Sequence, residues 1–218
     1  MTRPGFLLAI EGGDGAGKST VAAHVADLLR ADGHDVVLTG EPGTGSIGLL
    51  IRAWLADEAH ASHRALLGLY LAARAQHVDT LLRPALAAGK VVVCDRYVAS
   101  TMAYQGAGAQ VYPGPVIAHL DELLGSDGVL PDLTILLDLP ALASAARVRR
   151  RGGQPDHFER QDVAWRTRVR EAYRAMAAAD PQGWVTVDAR EPLGAVQAAA
   201  AQAARAAVRA RTVHGGAA

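Results

Sequence analysis

Short apolar runs, several rich in β-branched residues, alternate along the whole chain with longer stretches in which apolar side chains recur every three or four positions. The runs at 6–10, 35–39, 91–94, 133–137 and 184–187 are too short for helices and mostly flanked by Gly, Pro or Asp, which predicts five buried strands. Helical spacing covers 18–31, 47–55, 62–88, 114–124, 141–151, 161–179 and 193–211. Strands that are apolar on both sides, separated by helices, predict parallel βαβ units with helices on both faces of one sheet. No internal repeat or Pro/Gly/Ser-rich linker divides this order, so residues 1–218 read as one α/β domain. The Ala-rich stretch from Ala195 is low in complexity, but the helix propensity of Ala predicts a covering helix.

Composition narrows the function. The 22 basic and 22 acidic side chains cancel, and hydrophobic residues make up 50% of the chain. Such a balance excludes a general binder of nucleic acid polymers or acidic membranes, which are captured by excess positive charge. The single Cys94 rules out an internal disulfide framework and a cysteine-rich zinc site, and points to a reducing, cytoplasmic compartment. The first apolar run is too short for a signal peptide or membrane span, and no later run reaches about 18 residues, so no membrane partner is expected.

The first predicted strand runs into Gly12-Gly13-Asp14-Gly15-Ala16-Gly17-Lys18-Ser19, followed by Thr20 at the start of a helix. This is a complete P-loop pattern in the strand–loop–helix setting its chemistry requires. Backbone N–H groups and the positive end of the helix surround a polyphosphate, Lys18 reaches the β- and γ-phosphates, and the Ser19 hydroxyl ligates Mg²⁺. ATP is the expected ligand of residues 12–20. An Asn-Lys-x-Asp element that reads guanine is absent, since the chain has no Asn.

Four further fragments follow in order: Glu41-Pro42-Gly43, Arg74-Ala75-Gln76-His77, Asp95-Arg96-Tyr97 and the run from Ser100 to Gly106. With the P-loop they resemble the thymidylate kinases, over about 6–188. The resemblance implies a P-loop kinase fold with a five-stranded parallel sheet and an arginine-rich lid. It also implies ATP and dTMP as substrates, Mg²⁺ as cofactor and a homodimer. Position by position, it assigns Arg96 to the acceptor monophosphate, and Asp95 to the metal or its waters. Tyr70 stacks on the base and Arg74 bonds its carbonyl edge. Ser100, Tyr104 and Gln105 contact base and sugar, with Tyr104 filling the space of a ribose 2′-hydroxyl. Glu41 belongs to the same acceptor-side motif, and Asp14 faces the acceptor. At the end of the third strand, where ligands of open α/β sheets bind, a guanidinium fork suits a phosphate.

Nine arginines fall between Arg147 and Arg174, and Gly152-Gly153-Gln154-Pro155 follows the run Arg149-Arg150-Arg151. A cationic helix end running into a Gly/Pro loop suits a mobile lid over about 147–160. In the resembling family the catalytic Arg lies either in the P-loop or in the lid. Here Gly15 and Ala16 leave none in the P-loop, so Arg151 or Arg147 is expected to supply it, with Arg149 and Arg150 next. Asp156 and Glu159 match acids that turn toward the acceptor. No general base is required, because a nucleoside monophosphate presents an ionised oxygen at neutral pH. His60 and His63 stand close in sequence, but no metal site is expected there.

Two departures matter. Tyr70 stands where the family usually has Phe, and Gly40 stands where it commonly has Arg, with Arg52 on the next helix as a partial substitute. They leave a related deoxynucleotide as an alternative acceptor. A deoxynucleoside kinase with Asp95 as base and a P-loop switch protein that transfers no phosphate are the other readings.

Overall fold

The computed structural model describes residues 5–43, 45–56 and 62–215. β1 (Phe6–Glu11) leads through the glycine loop into α1 (Lys18–Ala31), then come β2 (Val36–Gly40), α2 (Ser46–Ala56) and α3 (His63–His77). α4 (Arg83–Ala87), β3 (Val91–Asp95), α5 (Val98–Thr101) and α6 (Gly114–Asp121) follow. The chain closes with β4 (Leu133–Asp138), α7 (Ala141–Arg151), α8 (Val163–Ala179), β5 (Trp184–Asp188) and α9 (Leu193–Gly215). All five strands pair in parallel in the order β2-β3-β1-β4-β5. The expected sheet is present, with β2 displaced by one residue.

Alternation along each central strand divides the core. Phe6, Leu8 and Ile10 of β1 pack with Val21, Val25 and Leu29 of α1 and with Val196, Ala200 and Ala204 of α9. The Ala-rich tail is therefore a covering helix whose small side chains let it lie close to the sheet. On the other face Leu7 and Ala9 meet Val78, Leu82, Leu86 and Tyr97. β1, β3 and β4 are almost wholly buried, whereas β2 and β5 are the sheet edges.

The helix expected over 62–88 is present over 63–87, but its turns widen partway along. A π-helical turn at Val78–Leu82 separates α3 from α4. Pro84 in the first turn of α4 has no N–H to return to the preceding turn, so the backbone widens before it. Wider turns also occur at Met102–Gly108 and Glu122–Ser126. The first of these carries Tyr104 and Gln105, both buried, and its Ala109 N–H bonds the Tyr104 carbonyl at 2.8 Å.

Strand order reverses at β1, since β2 and β3 lie on one side of it and β4 and β5 on the other. The carboxyl ends of β1, β3 and β4 therefore frame a crevice, the place where open α/β sheets bind ligands.

Candidate active site

The glycine loop occupies that crevice. Gly12 adopts φ 142° and a Cβ there would stand 2.6 Å from the Leu137 carbonyl oxygen of β4. Gly15 at φ 77° lies against Arg147 and Ser144 of α7. Only glycine meets both demands, left-handed backbone and close approach. The loop ends at Gly17, the N-cap of α1. Lys18 is buried and donates to the Gly13 carbonyl oxygen at 2.9 Å, while Ser19 and Thr20 are exposed at the helix start. Burial, and next the nearby Arg96 charge, lower the Lys18 ammonium from 10.5 to about 8.

β3 delivers Asp95 and Arg96 beside this loop. The Ser19 hydroxyl donates to Asp95 Oδ2 at 2.5 Å, and Asp95 Oδ1 is buried without a hydrogen-bond partner among the described residues. A hydroxyl and a carboxylate with a spare acceptor at the mouth of a P-loop fit the donor set of Mg²⁺, which keeps waters and uses substrate phosphates for its other positions. No group of three or more His, Cys, Asp or Glu side chains suited to a metal ion occurs among the described residues, His63 included, and His60 lies outside them.

Arg96 has φ 69°, a left-handed conformation that non-glycine residues adopt at a cost of about 1–3 kcal/mol. Its Nη2 donates to Asp14 Oδ1 at 2.5 Å and to the Tyr104 hydroxyl at 3.2 Å, and its Nη1 to the Gly12 carbonyl and Ser100 Oγ, each at 3.3 Å. The guanidinium also lies 4.9 Å above the Tyr104 ring. Burial alone would raise the Asp14 carboxyl, but Arg96 and then Lys18 hold it below the usual carboxylate range. Asp14 Oδ2 has no partner among the described residues.

Arg96 and Asp14 form one wall of a cavity of about 320 Å³. That volume suits a small ligand. Tyr70, Ser100, Tyr104, Gln105 and Asp156 line it as well, with Arg52 at its exposed side, bonded to the Gly43 carbonyl at 3.4 Å. Phe158, from the lid, completes an aromatic wall. It lies 6.5 Å from Tyr70 and 5.4 Å from Tyr104, and stacks on Trp165 at 5.9 Å. The Tyr70 phenol is pushed above its ordinary range by burial.

Glu41 and Arg74 line the cavity but are engaged elsewhere. Arg74 Nη2 bonds Glu41 Oε2 at 2.5 Å, its Nε bonds the same carboxylate, and its Nη1 bonds Asp121. The His77 ring adds a contact to Glu41 at 3.2 Å. All three members of the Glu41–Arg74–Asp121 network are almost fully buried. Arg74 is therefore anchored by carboxylates while it lines the cavity. Three of its five donors are bound to carboxylates, which leaves two for a ligand.

The lid residues have partners within the protein as well. Arg147 donates to the carbonyls of Gly15, at 3.4 Å, and Ala189, at 2.8 Å, so it ties α7 to the P-loop and the end of β5. Arg151 is mostly exposed and donates to Glu159 Oε1 at 2.5 Å, and neither arginine lines the cavity. Glu159 also does not face it. Its second oxygen accepts the Asp156 N–H at 3.2 Å, which shapes the lid turn that presents Asp156. The lid reaches over the cavity to α2, with the His157 N–H on the Leu55 carbonyl at 3.2 Å.

Sequence reasoning missed Glu11, the last residue of β1, which is buried and accepts bonds from the N–H groups of Tyr97 and Ser100 and the hydroxyls of Ser100 and Tyr173. Burial raises its carboxyl above the usual range despite those bonds. It sets the turn after β3 and thereby the position of Arg96. A lone acid closing an apolar strand beside a P-loop was the only available signal. Phe158, Trp165 and Asp121 were missed as well.

Parallel sheet, glycine-rich P-loop and a walled cavity beside it together define a P-loop α/β protein. The family model described as thymidylate kinase matches residues 10–200, and the chain belongs to that family. It is 42% identical over 204 residues to a thymidylate kinase of Gluconobacter oxydans, covering 93% of this chain and 95% of that one. It is 46% identical over 201 residues to a thymidylate kinase of Chromohalobacter salexigens, covering 91% and 94%. A crystal structure of thymidylate kinase from Ehrlichia chaffeensis superposes with a TM-score of 0.74 at 25% identity, covering 92% of this chain and 98% of that one.

Proposed function

We propose that the chain transfers the γ-phosphate of ATP to dTMP, giving dTDP and ADP. The observation that carries this reading is Arg96, held in a left-handed conformation with its fork turned into a small cavity directly beside the P-loop. A backbone kept at such a cost, supporting a half-buried charge beside the phosphate loop, suits a phosphate acceptor.

The triphosphate would lie along residues 12–20, with Lys18 neutralising its β- and γ-oxygens. Ser19 and Asp95 would hold Mg²⁺, which when bound spreads the charge of the phosphates. The base would enter between Tyr70, Phe158 and Tyr104, with Arg74 and Gln105 at its edge. Ser100 and Tyr104 would meet the sugar, and Asp14, Arg52 and Asp156 the sugar–phosphate end. Arg96 would then aim an ionised oxygen of the monophosphate at the γ-phosphorus. A new P–O bond forms there as the bond to the β–γ bridging oxygen breaks, and the bonding electrons leave with ADP. No proton need move to a protein base. Arg151 is the lid arginine free to swing, since among the described residues one ion pair holds its exposed side chain, whereas Arg147 is fixed to two backbone carbonyls.

Cys94 is buried and unpaired, which supports a cytoplasmic setting, and no described helix is long and apolar enough to cross a membrane. Exposed Val116, Leu123 and Leu124 support the expected homodimer.

One coupled assay tests the reading: ADP formed from Mg·ATP with dTMP, dUMP, dGMP, thymidine or no acceptor. Strong stimulation by dTMP is expected. Preference for another monophosphate would indicate a related deoxynucleotide, thymidine alone would indicate a nucleoside kinase, and stimulation by none would leave a nucleotide-binding switch.

A further inference from the structure

Arg166, in the first turn of α8, is 6% exposed. Its Nη2 donates to the Glu159 carbonyl oxygen of the lid at 2.6 Å, and its Nη1 to Ser144 Oγ of α7 at 3.1 Å. Ser144 Oγ donates in turn to the Asp14 carbonyl oxygen of the P-loop at 2.7 Å. A hydroxyl accepts and donates at once, so the relay from Arg166 through Ser144 to Asp14 is unbroken.

Each end of the relay carries part of the acceptor site. At the lid end, Glu159 binds Arg151 and the N–H of Asp156, a cavity-lining acid. At the loop end, the Asp14 side chain holds Arg96. Burying a guanidinium costs several kcal/mol, and apolar replacements of buried ion pairs are often neutral or stabilising. Arg166 gives its hydrogen bonds to two neutral oxygens of separate elements, its charge helps hold the Asp14 carboxyl low, and its Nε has no partner among the described residues. Stability alone does not account for a charge placed in that way.

We propose that Arg166 is a positioning residue for phosphoryl transfer, a buried strap that holds the lid in register with the P-loop. It keeps Asp156 and Arg151 aligned with Asp14 and Arg96 as the lid closes over the acceptor. This rests on the phosphotransfer reading above.

The test compares Arg166→Gln, Ser144→Ala and the double variant with the unsubstituted protein, each checked for a cooperative thermal transition. Each single change should lower kcat with dTMP ~10-fold while KM for ATP moves less than about twofold, because the loss is one of alignment. The double variant should be no worse than Arg166→Gln, since both cut the same relay. Arg166→Lys, which lacks the planar fork, should hold one partner and match Ser144→Ala. Unchanged kcat in both singles, or losses that multiply, overturn the proposal. If Arg166→Gln does not fold, Ser144→Ala alone carries these outcomes. Absence of dTMP turnover by the unsubstituted chain would sink the functional reading instead. Tryptic cutting at the lid arginines then tests the strap, with faster lid cleavage expected in Ser144→Ala and equal cleavage overturning it.

Discussion

Arg96 donates to Asp14 at 2.5 Å, joining the end of β3 to the middle of the P-loop across 82 positions of sequence. This bond fixes one wall of the cavity to the P-loop, because Asp14 belongs to both. Asp14 remains ionised inside the protein through it, and Arg96 remains aimed into the cavity.

Removing the fork should be costly to catalysis. Arg96→Ala is expected to reduce kcat/KM for dTMP by ~10²-fold or more, the loss of a charge-assisted bidentate contact worth ~3 kcal/mol. Steady-state kinetics at fixed Mg·ATP measure it. A near-normal value would remove Arg96 from the acceptor site.

Nucleotide affinity should depend on Lys18. Its ammonium is lowered to about 8 in the free protein, and a bound triphosphate would raise it. Affinity for a non-hydrolysable ATP analogue is thus full below pH 8 and falls as pH rises above 8, with proton uptake on binding in that range. Titration calorimetry in buffers of different ionisation enthalpy reads both. Constant affinity from pH 7 to 10 would contradict the assignment of Lys18 to the phosphates.

The Glu41–Arg74–Asp121 network should be a point of fragility. Arg74→Ala leaves two buried carboxylates without their cation and is expected to destabilise the fold by about 3–5 kcal/mol. Urea unfolding gives the value. A loss below about 1 kcal/mol would mean that water reaches these carboxylates.

Gly108 should tolerate no side chain. A Cβ there would stand 2.8 Å from the Trp165 ring, which packs on Tyr104 and Phe158. Gly108→Ala is expected to destabilise by about 1–3 kcal/mol and to raise KM for dTMP, with KM for ATP unchanged. An unaltered KM for dTMP would show that the aromatic wall does not shape the acceptor pocket.

Local pattern and local chemistry were legible without coordinates. Alternation and helical spacing determined the parallel sheet and its covering helices, because the periods of strand and helix are set by the backbone itself. The P-loop and Asp95-Arg96 could be read because a short contiguous stretch carries each function. Tertiary structure alone decided what the remaining charges do. Glu11 and Tyr173 meet across 162 positions, Asp14 and Ser144 across 130, and Arg74 and Asp121 across 47. No period encodes such contacts. Burial then dictates their roles: a charge taken out of water must be paired or hydrogen-bonded, so Arg74 was drawn to carboxylates, Arg147 to carbonyls, and Arg166 into the span between lid and loop.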